Sequence, residues 1–212
     1  CHLAHHQWPE TAIAKKLGAA GQIARVHCLT ERNLESSKPL ESAPGRVSLI
    51  VLPKAGKAAS QPLRNNLWDF FEPRRLLTTR LHVVSPRYID LKINAHLYLN
   101  DGASRAGVVA EVEDVLTTWF DPHVGGDDRA GWPFGGNVYL SSVYRNLDNI
   151  SGIDFVKNVQ VTTTAKQRTL LDADNHIVGL RIDPHELVAM DPKNIAVTLH
   201  EFAAGEWREV ST

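Results

Sequence analysis

Ile89-Asp90-Leu91-Lys92-Ile93-Asn94-Ala95-His96-Leu97-Tyr98-Leu99 sets an apolar residue at every second position. Successive side chains of a strand point to opposite faces, so this period predicts one long strand, dry on one face and wet or partner-covered on the other. Asn100-Asp101-Gly102 reads as a turn, and Asp101 or Ser104 is placed to cap a helix. Val108, Val109, Val112, Val115, Leu116, Trp119 and Phe120 then form a single stripe at helical spacing.

Upstream, Val47-Ser48-Leu49-Ile50-Val51-Leu52 is a β-branched run stopped by Pro53, which predicts a strand buried on both faces. Ser60 is placed to cap a helix that tolerates Pro62 in its first turn and turns Leu63, Leu67, Phe70 and Phe71 to one side. Arg80 to Val84 gives another short strand. A weak echo links the two helices: one closes on Phe70-Phe71-Glu72-Pro73, the other on Trp119-Phe120-Asp121-Pro122. Downstream, a helix is expected near Val138 to Asn149 and a strand at Ile153 to Val161, bulged around Val156-Lys157. The tail reads as strands at His176–Ile182 and Asn194–His200, joined by Asp183 to Leu187.

These elements predict an α+β fold: two small β-α-β-like modules of split, ferredoxin-like type in series, with a β-rich C-terminal appendix. The expected division is 1–45 as an N-terminal segment and linker left from a preceding domain, 46–87 as the first module, 88–164 as the second, and 165–212 as the appendix. Within 1–45, Thr11 to Ala20 reads as a short helix, Ile23 to Leu29 as a strand and Glu31 to Gly45 as a polar linker.

Inside the second module lies a long connector, 121–137, with Gly125, Gly126, Gly131, Gly135 and Gly136 around Trp132 and Phe134. Loops of this length in a compact domain are uncommon. Ordering each backbone costs about 1–2 kcal/mol, and burying an aromatic side chain returns roughly 1.5–3 kcal/mol. Two aromatics alone do not hold it. Either its backbone is hydrogen-bonded into the parent fold, or another molecule supplies the missing contacts.

The chain has 212 residues, 43% of them hydrophobic, and a formal net charge of -1, with acids and bases dispersed. Such a charge balance offers no footprint for nucleic acid or an anionic membrane, and neither partner is expected. No apolar run approaches the roughly 20 residues of a membrane-spanning helix. The two cysteines, Cys1 and Cys28, make no disulfide framework and suit a reducing compartment. Opening on Cys1, with Met190 its single methionine, the chain reads as a fragment or processed product. A mature lipoprotein also begins on Cys, but Cys1-His2-Leu3-Ala4-His5-His6 lacks a polar tether.

Asp121, His123, Asp127 and Asp128 are residue types for acid-base work or metal binding, and a metal-dependent hydrolase using the Asp121–Asp128 loop is the alternative function. The same residues populate turns, and the glycines around them offer little preorganisation. Cys1, His2, His5, His6, His27 and Cys28 hold zinc-ligand types without Cys-x-x-Cys spacing, so no metal or cofactor is expected. A Gly-x-Ser-x-Gly elbow, a Walker loop and a dinucleotide fingerprint are all missing from the sequence. The glycines therefore read as close approaches and positive-φ turns. Arg74 and Arg75 suit either a carboxylate across an interface or the end of a helix dipole. Trp132, Phe134, Tyr139 and Tyr144 form the densest aromatic group, of the kind that anchors interfaces, with core packing the other reading, more for Tyr144 than for Trp132, which is flanked by Gly and Pro.

Phe71-Glu72-Pro73-Arg74-Arg75-Leu76-Leu77-Thr78-Thr79-Arg80-Leu81-His82-Val83-Val84-Ser85-Pro86-Arg87-Tyr88, followed by Gly131-Trp132-Pro133-Phe134-Gly135-Gly136-Asn137-Val138-Tyr139-Leu140-Ser141-Ser142-Val143-Tyr144, resembles the baseplate J-like family. These are baseplate assembly proteins, wedge components of contractile phage tails and phage-tail-like injection systems. The resemblance runs from about residue 20 to about residue 190; Gly135-Gly136 stands where Gly-Arg is common. Members are much longer, so the chain resembles their C-terminal part. The resemblance implies a structural, non-enzymatic role in a large symmetric hetero-oligomer, with other wedge subunits, hub or spike, and sheath- or tube-initiating proteins as partners. Wedges join around the hub and rearrange on sheath contraction. Assembly in the cytoplasm into a phage-tail-like particle or virion is expected, with release from the cell left open. Arg74, Arg75, Arg87, Tyr88, Trp132, Pro133, Phe134 and Tyr139 are the expected partner-contacting residues, together with the wet face of Tyr88 to Tyr98.

Overall fold

A computed structural model describes residues 1–165 and 168–211. The fold is α+β, with several small sheets and few helices. It divides into two compact units, Cys1–Arg87 with Pro184–Glu186, and Tyr88–Asp183 with Leu187–Thr212.

The first unit is built on a three-stranded sheet. Strand β2 (Arg46–Pro53), buried from Ser48 onward, pairs antiparallel with β1 (Ile23–Thr30) and parallel with β3 (Arg80–Val84). A parallel pair needs a crossover, and helix α3 (Gln61–Phe71) supplies it. Ser60 Oγ caps α3 by accepting from the Leu63 amide at 3.3 Å, and Leu63 and Leu67 turn inward.

Helices α1 (His2–His6) and α2 (Ala12–Leu17) precede β1. Residues 1–45, expected as a segment and linker apart, instead supply Ala4, Trp8, Ala14 and Ile23 to the core that holds Leu49, Val51, Leu63, Leu67 and Val83. Trp8 explains why. Its fully buried indole donates to the Gly21 carbonyl at 2.8 Å and meets Phe70 edge-on, so one large side chain ties the N-terminal helices to α3. The stretch after β1 is tied down as well: buried Ser48 Oγ donates to the Arg32 carbonyl and accepts from the Leu34 amide.

In the second unit the alternating stretch forms β4 (Arg87–Leu99), with Ile89, Leu91, Ile93, Ala95, Leu97 and Leu99 all buried. Helix α4 (Arg105–Trp119) follows, capped by Ser104 Oγ, which accepts from the Gly107 amide. Its Val108, Val112, Leu116 and Trp119 are buried. The helix expected from Val138 starts later, because Val138–Tyr139 forms a short strand, β5, before α5 (Leu140–Asp148). Strand β6 (Ile153–Thr163) pairs antiparallel with β4 and is irregular at two places, between Ile153 and Phe155 and between Lys157 and Gln160, where Asn158 takes φ 52; the two flank the expected bulge at Val156-Lys157.

The C-terminal segment is β-rich, as its pattern indicates, and Lys166, Gln167 and Thr212 of it lie outside the described residues. Strands β7 (Thr169–Leu171) and β8 (Ile177–Leu180) pair with each other, and β8 also pairs with β5. Strand β9 (Glu186–Ala189) pairs with β4 within the stretch expected as a connection. Strand β10 (Ile195–Ala203) then runs parallel to β4, from Ile195 beside Ile93 to His200 beside Tyr98, and β11 (Glu206–Val210) folds back on β10. The resulting sheet has the order β11-β10-β4-β6, and the alternating strand lies inside it.

Candidate functional site

The connector 121–137 is ordered by its own chain. The Asp121 carbonyl accepts from the amides of Gly125 at 2.9 Å and Trp132 at 3.0 Å, which closes the loop on its starting residue. Gly126 N–H donates to the Trp119 carbonyl and Gly131 N–H to the Gly125 carbonyl. The Asp121 carboxylate accepts from the His123 and Val124 amides, and that of Asp128 from the Ala130 amide. Asp127 accepts from the Trp119 indole at 3.2 Å and from Arg145 of α5 at 2.6 Å; these bonds, Arg145's first, hold its carboxyl below the usual aspartate pKa. Of the two sources of order open to this loop, the parent fold is the one observed.

Gly125 shows why glycine is required. A Cβ there would sit 2.3 Å from the Trp119 carbonyl oxygen and 2.5 Å from that of Asp121, both backbone atoms that have no room to yield.

Trp132, expected at a partner interface, is instead an interior residue. Only 5% exposed, it packs edge-on to Trp119 at 5.0 Å and tilted against Phe120 at 4.8 Å, and its indole donates to the Gly136 carbonyl. The loop folds back far enough for the protein's own rings to cover it. Pro133 is exposed, Phe134 half-buried, and Tyr139 45% exposed with its hydroxyl accepting from Asn137. The Tyr144 hydroxyl accepts from the Val159 amide at 2.9 Å, an anchor for the irregular part of β6. An open groove of about 920 Å³ runs along Asp114, Trp119, Val124, Arg129 and Arg145.

In the first unit the arginines are also engaged within the chain. The Arg75 guanidinium lies 2.7 Å from Glu72 and donates to the carbonyls of Leu76, Leu77 and Thr79. That hydrogen bond holds the Glu72 carboxyl below its ordinary pKa. Arg74 donates to the Phe70 carbonyl and lies over the Phe70 ring at 4.2 Å. The carboxylate expected from a partner at Arg75 is thus supplied from three residues away. Arg87 is exposed, 3.6 Å from buried Glu186, and Tyr88 is half-buried.

The polar face of β4 carries an aromatic row that the sequence did not reveal. Tyr98 stacks on Phe155 of β6 at 4.3 Å and on His200 of β10 at 4.4 Å, with Trp207 of β11 edge-on to both Tyr98 and Phe155. His96 Nδ1 and His200 Nε2 are 3.0 Å apart. Burial first, and His96 second, lower the His200 pKa. The signal missed was Tyr98 at a polar position of the alternation; its partners come from strands far along the chain.

Among the described residues, the ligand atoms that converge as a possible metal-binding trio are those of exposed Asp172, Asp174 and His176, between β7 and β8. Asp172 Oδ1 already accepts from the amides of Asp174 and His176. The residues considered for a hydrolase are different, and the structure engages the carboxylates of Asp121, Asp127 and Asp128 in forming the connector.

The fold is similar to that of a chain in a phage-like baseplate. That chain belongs to the cryo-EM structure of the anti-feeding prophage (AFP) baseplate, 6-fold symmetrised, and matches with a TM-score of 0.51 and 16% sequence identity over 80% of this chain. The match spans 34% of that longer chain. No protein-family model matches the sequence, and no curated protein matches it. The likeness is one of fold. No helix among the described residues is long and apolar enough to cross a membrane.

Proposed function

We propose that this chain is a structural, non-enzymatic part of a baseplate wedge, within the baseplate J-like family, in a contractile injection system or contractile phage tail. It joins neighbouring wedge subunits around the central hub, in a ring of the sixfold kind, and shifts with them when the sheath contracts. The observation that carries this reading is the fold likeness to a baseplate chain over 80% of the residues. The two sequence blocks, Phe71 to Tyr88 and Gly131 to Tyr144, support it independently. Both map to well-formed features: the arginine-pinned turn with β3, and the closed connector with α5.

In this reading the partner-facing residues are exposed Arg87, Pro133 and Tyr139 and half-buried Phe134, together with the aromatic row around Tyr98. Partners are other wedge subunits and hub, sheath- or tube-initiating proteins, met during cytoplasmic assembly. The hydrolase alternative has less support, because its proposed carboxylates are bonded to loop amides, an indole and Arg145. The test is to tag the protein in the cells that make it and purify tail-like particles. Recovery in the baseplate at fixed stoichiometry supports the proposal, and a free protein with no particle association contradicts it.

A further inference from the structure

Leu76 and Leu77 stand 76% and 98% exposed, the two most exposed large apolar side chains among the described residues. They sit in a β-turn closed by the Thr79 amide on the Leu76 carbonyl at 2.9 Å, in which Leu77 takes the first central position. Proline is the favoured residue at that position of the common turns, and nothing in the turn's geometry calls for a large apolar side chain there. The turn is held rigidly. Arg75, anchored to Glu72, donates to three of its carbonyls, and β3 begins beside it with the Arg80 amide on the Gly45 carbonyl at 2.7 Å. A guanidinium is thus used to fix a backbone whose tip touches nothing in its own unit.

Two exposed guanidinium groups flank the turn in sequence. Glu72 is matched by Arg75, which leaves exposed Arg74 and Arg80 without a carboxylate, and Arg80 makes no side-chain hydrogen bond or ion pair among the described residues. We propose that the Leu76-Leu77 turn is a preformed docking knob that inserts into an apolar socket, rimmed by carboxylates, on a different protein of the same particle. Apolar contact at the centre and complementary charge at the edge is the ordinary layout of a specific interface. Because the turn is already ordered, docking requires little further loss of freedom. The inference rests on the baseplate reading for its partner, but on the turn's geometry for its site.

The experiment places a photo-crosslinking amino acid at position 77 of the full protein in its producing cells, and separately substitutes Leu77→Asp and Arg80→Glu. The proposal predicts a single adduct with another particle protein, mapped by mass spectrometry to an apolar site flanked by Asp or Glu. It also predicts that Leu77→Asp lowers incorporation into particles by at least about tenfold, the loss expected of a truncated hot spot, with an unchanged thermal melt. Arg80→Glu lowers incorporation less, mainly through slower association. Normal incorporation of Leu77→Asp, or an adduct only with a second copy of this chain, overturns the knob. In those outcomes wild-type protein is still found in particles, so the baseplate reading stands; if wild type is absent from particles, that reading fails first.

Discussion

Two helices of this protein end alike, on Phe-Phe-Glu-Pro and Trp-Phe-Asp-Pro, and the segments that follow do opposite things with their apolar residues. After α4 the chain closes on Asp121 and buries Trp132; after α3 it makes a short turn pinned by Arg75 and holds Leu77 in solvent. Glycine makes the difference. Gly125 lets two backbone segments approach to distances no side chain allows, and the connector curls over its own helix end. The turn after Pro73 has no glycine, and its order comes from one guanidinium donating outward to carbonyls. An aromatic in a glycine-rich loop is therefore not by itself a sign of a partner.

The sharpest way to break the contrast is Trp132→Ala. As an interior ring it should cost about 3–5 kcal/mol of folding stability, as large-to-small core changes do; chemical denaturation measures it, and a loss near zero would return Trp132 to the surface. Gly125→Ala should follow at more than about 1 kcal/mol, since Ala there forces a backbone shift. Smaller still is Arg145→Ala, which removes a largely exposed bridge to Asp127 and should cost below about 1 kcal/mol, falling further with added salt. Leu77→Asp should lie within about 0.5 kcal/mol of wild type, as surface changes do.

A pH series probes the aromatic row. His200 has a lowered pKa in the folded protein, so between that value and the ordinary 6.5 the unfolded chain binds more protons. The stabilisation is complete above pH 6.5 and is lost as pH falls from there through the folded pKa. His96 and Lys157 push in this direction and Glu209 opposes it. The melting temperature should drop on acidification, and His200→Phe should flatten that drop; an unchanged slope would remove His200 from the account.

Much of the local structure was legible because local forces set it. The period of two fixed β4 to within two residues of its ends, and Ser60 and Ser104 announced α3 and α4 through the amides they cap. The α+β class followed from those elements. The pairing of β10 with β4 was not legible, since it joins residues about a hundred positions apart, and a strand's period tells which face is buried but not which strand lies beside it. The place of Trp8 in the core is not legible from its neighbours, because its aromatic partner, Phe70, lies about sixty positions on. At the candidate site, the glycines were correctly read as close approaches, as Gly125 shows, while the interface role of Trp132 was not, because its covering rings come from the end of α4. Arg75 was legible as a carboxylate binder, but not that Glu72 would be the carboxylate.

The most direct test of this contrast is hydrogen exchange on the isolated chain, read at single amides and repeated after adding its proposed partners. The account predicts that the amides of Gly125, Gly126, Gly131 and Trp132 are protected in the isolated chain and change little with partners, while the amides of Leu77 and Thr78 at the tip of the turn gain protection only when partners are present. Rapid exchange of the connector amides until partners are present would contradict it.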